Sequence, residues 1–232
     1  MKTVVSIGGS VLVPDLDADR VAAYADVVES LVVADQTLGV VVGGGPVARQ
    51  YIGAARSLGA NEGELDQLGI DTTRLNARLL LSALDGDVAA PAIPEDYEEA
   101  ATALHRDDVA VMGGVVPGQT TDAVAAALAE YVDADRLVFA TSVPGVFDAD
   151  PNEDPDAERY DEIRASDLVE LVARGESLGS AGSNAPIDLL ATKVLKRSSI
   201  TAAVVDGSDP SAVERAVLSD DYDGTTILPD DE

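Results

Sequence analysis

An α/β fold with a mostly parallel sheet, covered by helices on both faces, is what this sequence predicts. Three observations carry it. Short apolar runs alternate with longer amphipathic stretches from one end of the chain to the other. The runs are continuous rather than alternating in polarity, as strands buried on both faces are. Three of them break into glycines and lead on toward a helix, the connection of a strand–loop–helix unit.

Taken in order, residues 3–7 read as a buried strand ending in the turn Gly8-Gly9-Ser10. Residues 19–34 carry Val21, Tyr24, Ala25, Val28, Leu31 and Val32 at spacings of three and four, the stripe of a helix lying on a sheet. Residues 39–42 form the next strand, and Gly43-Gly44-Gly45-Pro46 opens a helix over 46–58, with proline suited to the first turn. A longer helix over 65–84 is expected to face inward through Leu68, Leu75, Leu79 and Ala83. A short strand at 88–90, a helix at 95–104 and a strand at 109–112 follow, the last breaking into Gly113-Gly114. Residues 120–131 are alanine-rich and helical, and 137–140 form a strand that enters a polar loop through Asp148, Asp150, Pro151, Asp154 and Pro155. Helices at about 166–173 and 187–197, a strand at 201–205, a helix at 211–218 and a strand at 225–228 complete the chain. Composition shifts near residue 135, where a boundary between two halves is expected.

The chain has 232 residues, 46% of them hydrophobic, enough for a sizeable core, and a formal charge of −28 from 43 acids against 15 bases. The acids occur in every segment, so they read as a solvated coat rather than a binding tail. Such a field repels nucleic acids and anionic membranes, and neither is an expected partner. The composition resembles that of proteins from a high-salt cytoplasm, where at ~1 M ionic strength the screening length falls to about 3 Å. There are no cysteines, so neither disulfides nor thiol chemistry arise. The first apolar stretch ends after five residues, too short for a signal peptide or membrane span, and a cytoplasmic location is expected.

Glycines bring backbone N–H groups close to a phosphate, and a helix start adds its positive end. With Gly8-Gly9, Gly43-Gly44-Gly45 and Gly113-Gly114 on one edge of a parallel sheet, the three turns would line a site for more than one phosphate, and Arg49 adds a planar cation one turn into its helix. Gly43-x-Gly45-x-x-Ala48 also fits the dinucleotide fingerprint, with Glu62, Glu64 and Asp66 near the place of a ribose-binding acid. That fingerprint normally follows the first strand of its unit, and it leaves two glycine turns without a role. No GxxxxGK[ST] and no protein-kinase motif occurs. Thr120 and Thr121 stand where helix caps do, and Asp122 behind them would orient cations such as Arg49 and Lys193 around a transferring phosphoryl group. Lys193 stands out because the chain holds only three lysines. His105, the only histidine, reads as a surface residue at a helix end.

In order, Ser6-Ile7-Gly8-Gly9-Ser10, Val42-Gly43-Gly44-Gly45 with Ala48-Arg49, Gly113-Gly114 with Pro117-Gly118-Gln119-Thr120-Thr121-Asp122, residues 141–150 and Ala191-Thr192-Lys193 resemble the amino acid kinase family, and within it the archaeal uridylate (UMP) kinase branch. The resemblance runs over nearly the whole chain. It implies a three-layer α/β/α amino acid kinase (carbamate kinase-like) fold as one domain over 1–232, with a nucleoside-monophosphate half at about 1–135 and an ATP half at about 136–232. It further implies a cytoplasmic homohexamer that transfers the ATP γ-phosphoryl group to UMP in pyrimidine nucleotide (CTP) biosynthesis, with Mg²⁺ carried by the nucleotide phosphates and no metal ligand from the protein.

By position, the resemblance assigns UMP to Gly44, Asp66, Gly114, Val115, Val116, Pro117, Gly118, Gln119 and Thr120. ATP falls to Gly9, Ser10, Gly45, Arg49, Thr141, Phe147 and Asp150, and the transfer step to Lys193, Asp122 and Arg49. The sequence departs from the family where many relatives carry lysine and this chain has Ser6. Ser142, Pro144 and Phe147 replace the polar positions of an Asn-Val-Asp-Gly-Val-Tyr segment. Other acceptors of the family (acetylglutamate, carbamate, isopentenyl phosphate) and a non-catalytic nucleotide sensor or anion-storage protein are the alternatives. Asp66 and residues 117–121 favour a nucleotide, while Ser6 keeps the sensor in view.

Overall fold

A computed structural model describes residues 1–151, 154–177, 186–219 and 221–230. In chain order the elements are β1 (Lys2–Ile7), α1 (Gly9–Leu12), α2 (Ala18–Val33), β2 (Thr37–Val42), α3 (Gly45–Ser57), α4 (Glu62–Leu81), α5 (Tyr97–Leu104), β3 (Ala110–Met112), α6 (Thr121–Tyr131), β4 (Arg136–Thr141), β5 (Glu162–Arg164), α7 (Ala165–Ser177), α8 (Leu189–Ser198), β6 (Thr201–Asp206), α9 (Pro210–Leu218) and β7 (Gly224–Leu228).

The strands form one seven-stranded sheet in the order β3-β2-β1-β4-β6-β7-β5. Every pairing is parallel except β6 with β7. The period-two alternation of a strand sorts each apolar run onto two cores. Val4, Val41, Leu137 and Phe139 point to the face covered by α5, α6, α7 and α8. Val5, Val40, Val42, Val138 and Ala140 point to the face covered by α1, α2, α9 and the inner side of α4. Helices thus cover both faces, as the apolar runs predict. Among the described residues, no helix is long and apolar enough to cross a membrane.

Four expectations need correction. The turn expected at residues 8–10 is the entrance to α1, a single helical turn starting at Gly9. The strand expected at 88–90 is reduced to a bridge between Ala89 and Val109. Its two hydrogen bonds run from Val109 N to Val88 O and from Ala90 N to Val109 O, and the chain then bends through Pro91 instead of extending the strand. The inward face of α4 is Leu65, Ile70, Thr72, Thr73, Asn76, Ala77 and Leu80, whereas Leu75 is 62% and Leu79 38% exposed. Ala83 lies beyond the helix and is also exposed, and Leu68 is only half-buried. Finally, β5 has no counterpart in the sequence reading, because three residues with a single buried side chain, Ile163, carry no periodicity to detect.

Candidate active site

Strands β1, β2 and β3 are parallel neighbours, so the three glycine turns open on the same edge. Two of them interlock. A Cβ built on Gly9 would fall 2.2 Å from Gly45 N, and one on Gly45 would fall 2.3 Å from Gly9 O. Gly45 also has φ +63°, in the left-handed region that favours glycine. The backbones of α1 and α3 therefore start side by side with no side chain between them.

The ends of these helices differ from the rest. α2, α4, α5, α6, α8 and α9 each begin with a side chain that accepts a backbone N–H: Asp17, Asn61, Asp96, Thr120, Asp188 and Asp209. α1 and α3 begin at Gly8 and Gly44 with no side-chain cap and no acid in the first turn. In a chain this acidic, the two helix starts that meet at the sheet edge are the ones left free for an anion.

Polar residues of α4 hold the turns in place. Asn76, 2% exposed, donates from Nδ2 to Gly43 O at 2.9 Å and to Gly44 O at 3.1 Å. Thr73 accepts from Gly114 N at 2.7 Å and donates to Ile70 O. These two residues were missed from the sequence, since polar groups on a helix read as its solvent face.

A cleft of about 280 Å³ lies beside the turns, near the lower end of the range for small-molecule sites, which suits one mononucleotide better than a dinucleotide. Its lining includes Gly44, Asp66, Gly114, Val116, Pro117, Gly118, Gln119 and Thr120, eight of the nine residues expected to hold the monophosphate. Val115 is the exception, because its side chain packs against the core. Gly45 and Arg49 also line this cleft, and both terminal nitrogens of Arg49 lie 3.4 Å from Ser10 Oγ, which joins the β1 turn to α3.

Thr141 ends β4, the strand next to β1, and its hydroxyl donates to Val143 O at 2.8 Å. Phe147 forms an isolated bridge with Arg159 in the loop beyond, and Asp150 follows it. None of these three lines the cleft; Thr141 stands at the adjoining end of the sheet. A larger cavity of about 480 Å³, between β5 and α7, contains none of the predicted residues.

Asp122 sits in the first turn of α6, where its carboxylate accepts from Ser6 Oγ at 2.8 Å. Burial pushes its pKa up to about 7, against the lowering effect of the Ser6 hydrogen bond, and the nearby Asp188 carboxylate adds to the rise. Thr120, the cap of α6, donates to Asp188, the cap of α8. Lys193 is exposed in the second turn of α8. His105 is exposed at the end of α5 with its ring against Ala101 O, away from the site.

The sequence pattern of the amino acid kinase family matches residues 1–206. A uridylate kinase of Haloarcula marismortui is 63% identical over 99% of this chain and 100% of its own length. One of Halobacterium salinarum is 60% identical over 99% of this chain and 94% of its own. The crystal structure of uridylate kinase from Archaeoglobus fulgidus has a TM-score of 0.88 and 44% identity, covering 98% of this chain and 100% of that one.

Proposed function

This chain belongs to the amino acid kinase family, and from that footing we propose that it is a uridylate kinase, an enzyme that transfers the γ-phosphoryl group of ATP to UMP and releases UDP and ADP. The observation that carries the reading is the meeting of two uncapped helix starts beside a cleft of mononucleotide size. Residues from about 1–135 hold UMP, and residues from about 136–232, with the β1 and β2 turns, hold ATP.

UMP lies along Gly44, Asp66 and residues 114–120. Carboxylate oxygens at Asp66 accept hydrogen bonds and so suit sugar hydroxyls. ATP lies over Gly9, Ser10, Gly45, Arg49, Thr141, Phe147 and Asp150. Gly44 then faces the acceptor and Gly45 the donor, so the phosphoryl group crosses at the β2 turn. A UMP phosphate oxygen attacks the γ-phosphorus in line, through a loose transition state held by backbone N–H groups, Arg49 and Lys193. The acceptor is already an anion, so no general base is required. Asp122 orients the cations. Among the described residues no group of three or more metal-binding side chains occurs. Mg²⁺ carried by the nucleotide phosphates would supply charge neutralisation there.

The test is ADP release in molar KCl with a panel of acceptors. UMP-dependent release is expected. Release with acetylglutamate, carbamate or isopentenyl phosphate instead would redirect the assignment, and tight nucleotide binding without release would replace it by a sensor. Lys193 is exposed and reaches the phosphates as a flexible point charge, so Lys193→Ala is expected to lower kcat by ~10²-fold or more, the loss typical of one transition-state donor. Near-normal turnover would remove Lys193 from the mechanism.

The enzyme works in the cytoplasm as a homohexamer, and the α3–α4 pair supplies a contact for another copy. Residues 36–61 and 72–84 hold no Asp or Glu, in a chain that has 43 of them. The same helices, with the turn after α3, expose Tyr51 (58%), Leu58 (89%), Leu75 and Leu79. An apolar, acid-free face is where two copies of so acidic a protein meet without repulsion. Light scattering of the double variant Leu75→Glu, Leu79→Glu is expected to give a smaller particle than the wild type. An unchanged mass would place the contact elsewhere.

A further inference from the structure

We propose that Ser6 is a positioning residue for the transfer step, its hydroxyl pinning one oxygen of Asp122 from the buried end of β1 while Asp188 opposes it from the cap of α8. The proposal rests on the kinase reading, which makes Asp122 the acid that orients the cations.

Ser6 is 1% exposed and its hydroxyl donates to Asp122 Oδ1 at 2.8 Å, so β1 fixes the direction of the carboxylate. Asp188 is itself immobilised. Its Oδ1 accepts from Leu190 N at 2.7 Å and Ala191 N at 3.0 Å, and its Oδ2 accepts from the Thr120 hydroxyl. Thr120 in turn accepts from Ala123 N at 3.1 Å, closing the first turn of α6 around Asp122. Three elements therefore lock two carboxylates near each other at the base of the site.

The groups facing Asp122 are Ser6 on β1, the N-terminal end of its own helix with Thr120, and Asp188 on α8. Asp188 is the charged group whose field raises its pKa. Burial and Asp188 favour the protonated carboxyl, and the Ser6 hydroxyl favours the anion. With a pKa of about 7, only part of the ligand-free protein carries the anion at neutral pH. The two neighbours thus set how much enzyme is competent to orient a cation.

Opposite neighbours should move the titration in opposite directions, a signature that a purely structural role does not give. The measurement is the acidic limb of kcat/KM for UMP, which reports the free enzyme and free substrate. The UMP phosphate titrates near pH 6, but identically for every variant. Ser6→Ala is expected to move the limb up by roughly half to one pH unit, the worth of one lost hydrogen bond. Asp188→Asn, which keeps the cap of α8, is expected to move it down. ¹³C NMR titration of the Asp122 carboxyl in the ligand-free proteins should show the same order. Shifts in one direction, or none in both variants, would overturn the proposal. If the wild type releases no ADP with UMP, the kinase reading fails first, and the ¹³C titration still decides whether Ser6 and Asp188 oppose each other at Asp122.

Discussion

Gly9→Ala is expected to cost at least ~3 kcal/mol of stability and to lower kcat/KM by ~10²-fold or more in whatever protein still folds. The added methyl would sit 2.2 Å from Gly45 N and 2.5 Å from Gly43 O, both backbone atoms that no side-chain rotation can move aside. The two helix starts must separate, and a displacement of about 1 Å at a phosphate cradle already costs about two orders of magnitude in rate. Gly86→Ala is the matched control. Nothing lies within 4 Å of a methyl there, and its effect is expected to stay within ~0.5 kcal/mol. Denaturant titration of both variants, with kcat/KM for ATP and UMP, checks the pair. Equal effects would mean that the turns are not held in contact.

Asp122→Asn is expected to remove most of the activity and to make the protein more stable at pH 8. The activity falls by ~10²-fold because an amide carries no charge with which to orient Arg49 or Lys193. The stability change follows from linkage. The folded pKa of about 7 lies above the ordinary 3.8, so the stability carried by the neutral carboxyl is complete below about pH 4. It is lost as the pH rises through about 7. Asparagine stays neutral and can still accept from Ser6, so it escapes that loss. Thermal melts should show a gain of roughly 3–8 °C at pH 8 that shrinks toward zero near pH 4. A gain that is independent of pH would assign the effect to packing.

Much of this protein is legible without coordinates. The buried strands announce themselves because both faces of a parallel sheet are apolar, so residues 38–42 contain nothing polar. Helices α2, α5 and α6 follow from their stripes and caps. α4 shows where such reading fails. Two stripes on it satisfy spacings of three and four: Leu68, Leu75 and Leu79 on one side, and Ile70, Thr73, Ala77 and Leu80 on the other. Hydrophobicity favours the first, yet the second is buried, because Thr73 and Asn76 must reach the glycine turns. A helix that both packs on a sheet and fastens glycine turns buries polar atoms on that side and leaves leucines on the other. β5 escapes for a simpler reason, its length of three residues.

The site divides in the same way. The glycine turns, Arg49, Asp66 and Asp122 are visible in sequence because their residue types are constrained by what they do locally: glycine for close approach, threonine for a cap, an acid behind it. Ser6 is visible only as a departure from a family pattern. Its bond to Asp122 spans 116 positions, and the nearby Asp188 arrives on a third element. The sequence by itself determined the α/β class, the edge on which the glycine turns open and most of the residues that line the cleft beside them, since each depends on neighbours a few positions away. Only the tertiary structure decided that α1 and α3 start against each other, that α4 rather than solvent holds the glycine carbonyls, and that Asp122 is balanced between Ser6 and Asp188. Those facts depend on distances across the sheet, and in a chain with this alternation of strand and helix no local pattern encodes them.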